Sequence, residues 1–304
     1  MWTDPNYRRS LLITAAAPLC WSIGGLGIRI VTTNIWETVF WRAFFMGLTV
    51  LVFLILRDQR GFLKSFKRSG IPGVATGVFL AMSMIFYVNS LSYTTVANAL
   101  VLQGTAPLFA ALLGWFLLRE RVGVRTGLAV VIVMISMIAM VSDSLATGTG
   151  TWIGDVFALG NAVSLASYII VVRRTREINL IPAICLAGFI SAIVALPLMT
   201  TYMISVHDLS ILATLGAIQV GLGSCLFVIG SRNLQPAQSG LLTLLETILG
   251  SLWVWIFIGE QPTTIALISG VIIVITLALH TIFDSRLSEN SLATRNKKSH
   301  QDRI

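Results

Sequence analysis

Two ionisable residues stand inside long apolar runs of this chain: Glu246 and Arg42. A charge at the centre of a membrane helix costs roughly 2.5–3.5 kcal/mol on insertion scales, so such a residue is a functional hypothesis by default. Glu246 lies about seven residues, or ~10 Å, from the nearer end of its run. A carboxyl at that depth can bind a cationic group or a proton, or it can hydrogen-bond a neighbouring helix as a structural group. Arg42 lies about four residues, or ~6 Å, from the opposite surface. Its planar guanidinium matches a carboxylate; the structural alternatives are a pair with Glu37 or snorkelling outward. In a hydrocarbon core of ~30 Å the two depths differ by roughly 14 Å, which argues against a direct Arg42–Glu246 pair.

Neutral polar groups also fall at depth: Asn89, Asn98, Gln103, Asn161, Gln219 and Ser224. Lipid-facing amides would lack partners, so some of these line a wet cavity and others join helices. Gln103 is favoured for the cavity because its counterpart 140 residues on is Thr243, just before Glu246. Trp21, Tyr87 and Tyr168 offer aromatic faces for stacking or a cation–π contact, although an aromatic in a bundle is more often a packing residue. Asp155 opens a segment, where a carboxylate suits the positive helix end and reads as a cap. Glu120 and Glu260 each end a segment before a short turn, a place for pinning a hairpin or gating.

These residues sit on a chain of 304 residues, 56% hydrophobic and 11% charged, with a mean hydropathy of +0.85. A soluble domain of this length carries far more charge. Apolar runs at 11–30, 38–56, 71–89, 96–118, 123–141, 152–172, 181–201, 210–230, 239–258 and 264–283 predict ten spanning helices, with residues 1–10 and a polar tail 284–304 outside them. A net charge of +8 does not imply nucleic acid. All but Arg29 and Arg42 of the 21 Lys and Arg fall in the two termini and in the loops after segments 2, 4, 6 and 8, and the other loops have none. With ten helices and both termini cytoplasmic, that is the positive-inside distribution. Arg8-Arg9 before an apolar run imitates a signal peptide, but the run to Ile30 is long enough to span. Cys20, Cys185 and Cys225 lie within apolar runs, lack ligand spacing and read as buried packing.

The chain also repeats itself. At an offset of 140, Ala97 aligns with Ala237, Trp115 with Trp255 and Glu120 with Glu260. The units are 11–143 and 150–283. Five helices is an odd number, so the second unit enters the membrane inverted, a construction that places a site near the midplane between halves. Small residues support close packing: Gly154, Ala158, Ala162 and Ala166 recur every fourth position, Gly73 and Gly77 form a GxxxG pair, and Gly24, Gly25 and Gly27 loosen segment 1.

Several local patterns resemble the EamA-type transporters of the drug/metabolite transporter superfamily. They are Ala17 with Trp21; Phe40-Trp41-Arg42; Gly154-Asp155 followed by Ala158, Ala166, Tyr168 and Arg173-Arg174; and Leu245-Glu246 followed by Gly259-Glu260. Where that family often carries Pro after the segment 9 Glu, this chain has Thr247; Pro107 stands at the aligned place in the first half. The resemblance implies ten helices in two inverted repeats, cytoplasmic ends in a bacterial inner or plasma membrane, and movement of small organic solutes, amino acids and their relatives among them.

Other classes fit less well. The three histidines stand at or beyond segment ends, and no HExxH, Walker A or paired midplane aspartates occur, so an enzyme is not expected and no cofactor or metal is implied. A channel needs a filter or ring of like charge. A scaffold explains neither the repeat nor Glu246. The expectation is therefore a secondary transporter with a small-molecule substrate, with a coupling proton as one option; a lipophilic-cation exporter is the alternative. Oligomeric state is not indicated.

Overall fold

A computed structural model describes residues 5–58, 61–118, 124–148, 150–175, 178–231, 236–276 and 278–279. The tail from Asp284 and the predicted site residue Glu120 lie outside them. The elements are α1 (Pro5–Ile30), α2 (Ile35–Asp58), α3 (Phe62–Tyr93), α4 (Val96–Gln103), α5 (Ala106–Leu118), α6 (Val124–Thr147), α7 (Trp152–Arg174), α8 (Ile181–Ala195), α9 (Val206–Thr214), α10 (Gly223–Gly230) and α11 (Pro236–Ile258). A last helix, α12, covers Thr264–Thr276. No strand occurs among the described residues. The protein is thus an all-helical, polytopic membrane fold.

Among the described residues, seven helical stretches are long and apolar enough to cross a bilayer: Arg8–Ile30, Ile35–Asp58, Leu63–Tyr93, Val96–Gly114, Trp152–Val172, Ile181–Leu198 and Val206–Gly230. Gly127–Asp143, Leu242–Ile258 and Thr264–Thr276 are shorter apolar helices at the places of the fifth, ninth and tenth predicted segments. The third segment begins at residue 71 for a visible reason. Gly70 sits at φ 51°, ψ −151° with Pro72 close behind, so the chain turns there between an amphipathic lead-in and the apolar helix.

The fourth and eighth segments are irregular. The fourth breaks at Gly104-Thr105, where the Thr105 amide turns back to the Leu102 carbonyl just ahead of Pro107, which has no N–H to donate. The ninth, α11, runs unbroken through Glu246 and Thr247. Thr247 Oγ1 instead donates to the Leu100 carbonyl at 3.4 Å, beside the break in its counterpart. The eighth contains an eight-residue π-helix, Leu215–Leu222, between α9 and α10.

Packing follows the repeat. α3 lies on α7, as α10 lies on α1. α3 also lies on α8, as the π-helix lies on α2; α1 packs on α11, as α7 packs on α4 and α5. α2 with α8 and α4 with α11 complete the set. Exchanging the two halves leaves this pattern unchanged. Close approach is set by small residues. Ala158, Ala162 and Ala166 of α7 are fully buried, and a Cβ at Gly154 would lie 2.6 Å from the Tyr93 carbonyl carbon. Gly77 touches Ala183 and Leu186 of α8, but Gly73 meets only Ser69 of its own helix, so the GxxxG pair is half an interface. Gly24, Gly25 and Gly27 do not loosen α1, which is continuous. They seat Gln219, Val96 and Leu215 against its backbone.

α2 crosses α8 closely: a Cβ at Gly188 would lie 2.6 Å from the Gly47 nitrogen and 2.7 Å from the Ala43 carbonyl oxygen. Gly188→Val should destabilise the folded protein by about 1–3 kcal/mol or more through overpacking. Gly127→Ala, at a helical position with nothing within 4 Å, should be neutral or gain up to about 1 kcal/mol. Thermal unfolding in detergent reads both, and an unaffected Gly188→Val would contradict the packing described.

Candidate functional site

Between the halves lies a cavity of about 90 Å3 lined by Trp21, Arg42, Ser83, Tyr87, Gln103, Asn161, Tyr168, Gln219, Ser224 and Glu246, with Leu80, Met84, Leu165 and Val220. Trp21, Arg42, Tyr87, Gln103, Asn161, Tyr168, Ser224 and Glu246, all expected at a site, meet there. Thr243 is half-buried and is not among the lining residues. A larger groove of about 440 Å3 on α5, α6 and α7 has only Thr105 and Ser142 as polar members, so it has no charge with which to orient a polar solute.

Two hydrogen-bonded arms build the polar wall. In the first, Ser83 Oγ donates to Asn161 Oδ1 at 2.6 Å, and Asn161 Nδ2 donates to Gln103 Oε1 at 2.7 Å. That leaves the Gln103 amide N–H groups to face the Glu246 carboxyl, with which Gln103 hydrogen-bonds. The arm passes from α3 to α7 to α4 to α11, alternating between halves. The break after α4 sets its middle, since Gln103 is the last residue before it.

The second arm runs through Arg42, which is 3% exposed. Its Nε and Nη2 both donate to Gln219 Oε1, at 3.2 and 2.9 Å, and Gln219 Nε2 donates to the Trp21 carbonyl at 3.2 Å. The guanidinium carbon stands 5.3 Å from the Tyr87 ring centroid, a cation–π contact. Arg42 Nη1 and Tyr87 Oη are buried without a hydrogen-bond partner.

The expectation of no direct Arg42–Glu246 pair agrees with the structure, where Arg42 bonds Gln219. Arg42 and Glu246 line the same cavity and lie close enough to interact electrostatically, although the Arg42 edge is taken by Gln219 and no direct pair forms. Residue counts along straight helices omit the reach of an arginine side chain and the breaks in the helices that meet it. Nor does Arg42 pair with Glu37 or snorkel. Glu37 Oε1 instead accepts from the Thr200 amide (3.0 Å), the Thr200 hydroxyl (2.8 Å) and the Thr201 amide (3.0 Å).

Glu37 belongs to a set of carboxylates on the face whose loops lack basic residues, and each crosses between halves. Asp208 accepts from the Thr32 amide and hydroxyl at 3.1 and 2.7 Å. Asp143 accepts from the Thr263 hydroxyl. Glu260 Oε1 accepts from the Val96 amide at 2.6 Å, and its Oε2 stands 3.0 Å from Arg29 Nε. That N–H points off the oxygen, making the contact an ion pair rather than an aligned hydrogen bond. Both partners of Glu260 lie in the other half rather than in its own hairpin. Asp155 does not cap α7. Thr151 does, accepting from the Gly154 amide, while Asp155 is buried and accepts from the Thr94 hydroxyl at 3.2 Å.

Sequence reasoning missed Ser83 and its apolar neighbours. The available signal was helical spacing, since Leu80, Ser83, Met84 and Tyr87 share one face of α3. Asn89 and Asn98 bond the Ile85 carbonyl and Thr94 and play no part in the cavity.

The EamA-like transporter family profile matches residues 8–142 and 152–282, one match per half, and the chain belongs to that family. No curated protein matches it. A solved structure described only as "Crystal structure of protein" shares 19% identity with a TM-score of 0.66, over 92% of this chain and 99% of the other, which is a likeness of fold.

Glu37→Ala would leave the Thr200 and Thr201 amides without their acceptor, at about 1–3 kcal/mol. Hydrogen exchange should accelerate at those two amides, and unchanged protection there would show that the clamp contributes nothing.

Proposed function

We propose that this EamA-family chain is a secondary transporter that carries a small polar metabolite of amino-acid type by alternating access. The observation that carries the reading is the placement of a buried carboxyl, Glu246, and a buried guanidinium, Arg42, in one small cavity where the two repeats meet. A solute bearing both an ammonium and a carboxylate answers both groups at once. Gln103, Asn161 and Ser224 supply neutral hydrogen bonds, and Trp21 and Tyr168 the aromatic walls. In this reading Glu246 holds the ammonium, or a coupling proton when the solute has left.

The chain crosses the membrane ten times, as two inverted five-helix repeats, with both termini in the cytoplasm and the membrane that of the cell, the inner one in a bacterium. Net positive loops between the apolar helices support this orientation. The carboxylate clamps then close the outer face, and alternating access consists of exchanging them for contacts that close the inner face. Export of a lipophilic cation uses Glu246 as well, but Arg42 repels a cation and the cavity, at about 90 Å3, is small. Catalysis plays no part in this reading.

A thermal-shift screen of amino acids, polyamines, organic anions and quaternary amines identifies the solute; a ligand at ten times its dissociation constant stabilises by about 1.4 kcal/mol. In proteoliposomes, Glu246→Gln should then lower uptake of that solute about 10- to 100-fold, the loss of one hydrogen bond to a charge being worth ~1.5–3 kcal/mol, with an unchanged unfolding profile. Wild-type kinetics in that variant would sink the proposal.

A further inference from the structure

Gln219 occupies Arg42 in the manner of a carboxylate. Its single Oε1 takes both Nε–H and Nη2–H, at 3.2 and 2.9 Å, the edge of a guanidinium that a carboxylate engages with two oxygens. The amide oxygen is neutral and single, whereas a carboxylate brings a formal charge and a second oxygen to the same guanidinium edge. Arg42 is 3% exposed, and its Nη1 and the neighbouring Tyr87 Oη have no partner in the protein. The guanidinium is therefore held but incompletely satisfied, on the wall of a cavity.

The backbone that presents Gln219 is unusual in the same place. Gln219 lies within the π-helix Leu215–Leu222, whereas α3, the counterpart segment in the first half, is helical without a π stretch. A π-helix is rare and is frequently found at functional sites. Here it is held by contacts with the other half. Gln219 Nε2 reaches the Trp21 carbonyl of α1, and Gly216 approaches the Arg42 carbonyl of α2 so closely that a Cβ would stand 2.4 Å from it.

We propose that Gln219 is an internal stand-in for the anionic group of the solute: a carboxylate displaces its amide oxygen from Arg42, and that release frees the π-helical stretch to shift against α1 and α2. Gln219 is a positioning residue in this scheme, not a ligand of the solute. The proposal rests on the transport reading, and deepens it by requiring a carboxylate on the cargo and by naming the element that senses it.

The test uses the full-length protein in detergent with acetate as the probe, because acetate is the carboxylate isostere of the acetamide-like group removed in Gln219→Ala. Acetate should raise the unfolding temperature of Gln219→Ala saturably, with a half-saturating concentration at least about tenfold below that of the wild type. Acetamide at equal concentration and chloride at equal ionic strength should do markedly less. The response should vanish in Arg42→Gln/Gln219→Ala. Gln219→Glu, which keeps the side-chain length and fills the Arg42 edge with its own carboxylate, should not respond to acetate, and this arm does not depend on whether Gln219→Ala folds. In the wild type, saturating acetate should accelerate hydrogen exchange across Leu215–Leu222. Equal acetate responses in wild type and Gln219→Ala, a response that survives loss of Arg42, or a response in Gln219→Glu would each overturn the exchange. Unchanged hydrogen exchange with acetate bound would overturn its coupling to the π-helix. Absence of carrier-mediated uptake by wild-type proteoliposomes of any solute that raises the unfolding temperature would sink the transport reading and leave the acetate result standing, so the two failures are distinct.

Discussion

A guanidinium buried inside a helical bundle constrains everything around it. Removing such a charge from water costs several kcal/mol even after relaxation, so it persists only where the surroundings hold it. Arg42 is held by an amide from the π-helical stretch of the second half and by the face of Tyr87 from α3. Those two neighbours dictate the backbones. α1 must carry glycine at position 24, since a Cβ there would fall 2.7 Å from Gln219 Nε2 and 3.1 Å from Tyr87 Oη. Segment 8 must widen where Gln219 projects and must carry Gly216 where it crosses α2. Four helical segments therefore converge on one side chain, and the cavity is the space left where Glu246 and Gln103 close the far wall.

The links between halves are mostly directional and polar at the site and at one face, and mostly small-residue contacts between them. Both hydrogen-bonded arms of the cavity alternate between repeats, as do the carboxylate clamps of Glu37, Asp143, Asp208 and Glu260. Such contacts would suit the proposed alternating access, in which two bodies separate at one face and rejoin at the other, because hydrogen bonds have discrete alternative partners. The smooth contacts of α7 on α3 and α8 on α2 let backbones slide without a bulky side chain in the way.

Membership of the family, the repeat and the polytopic helical class were legible in the residues themselves. A lipid solvent forces long apolar helices and expels basic residues to one set of loops, so hydropathy and charge suffice to read them. The same economy exposed most of the cavity, because Arg42, Glu246, Gln103 and Asn161 are costly in lipid wherever they face. Ser83 escaped because a lone serine in a helix is cheap; its hydroxyl satisfies the helix's own carbonyls elsewhere in this chain, as Ser191 does with Ala187.

Which polar group meets which was decided by tertiary structure. Asp155 looked like a cap because it stands in the first turn of α7, yet Thr151 holds that role and Asp155 turns to Thr94. Depths counted along the helices correctly kept Arg42 and Glu246 from a direct pair but did not show that their side chains line one cavity. Thr247 stands where the family often has Pro, and α11 runs unbroken there; it is segment 4 that breaks, ahead of Pro107, with Thr247 beside that break. The sequence by itself determined which side chains are expensive in a membrane, since that depends on each residue and its apolar neighbours alone. Only the packed structure decided their partners, because partnership depends on helix breaks, close glycine contacts and the crossing of distant segments, none of which is encoded in local spacing.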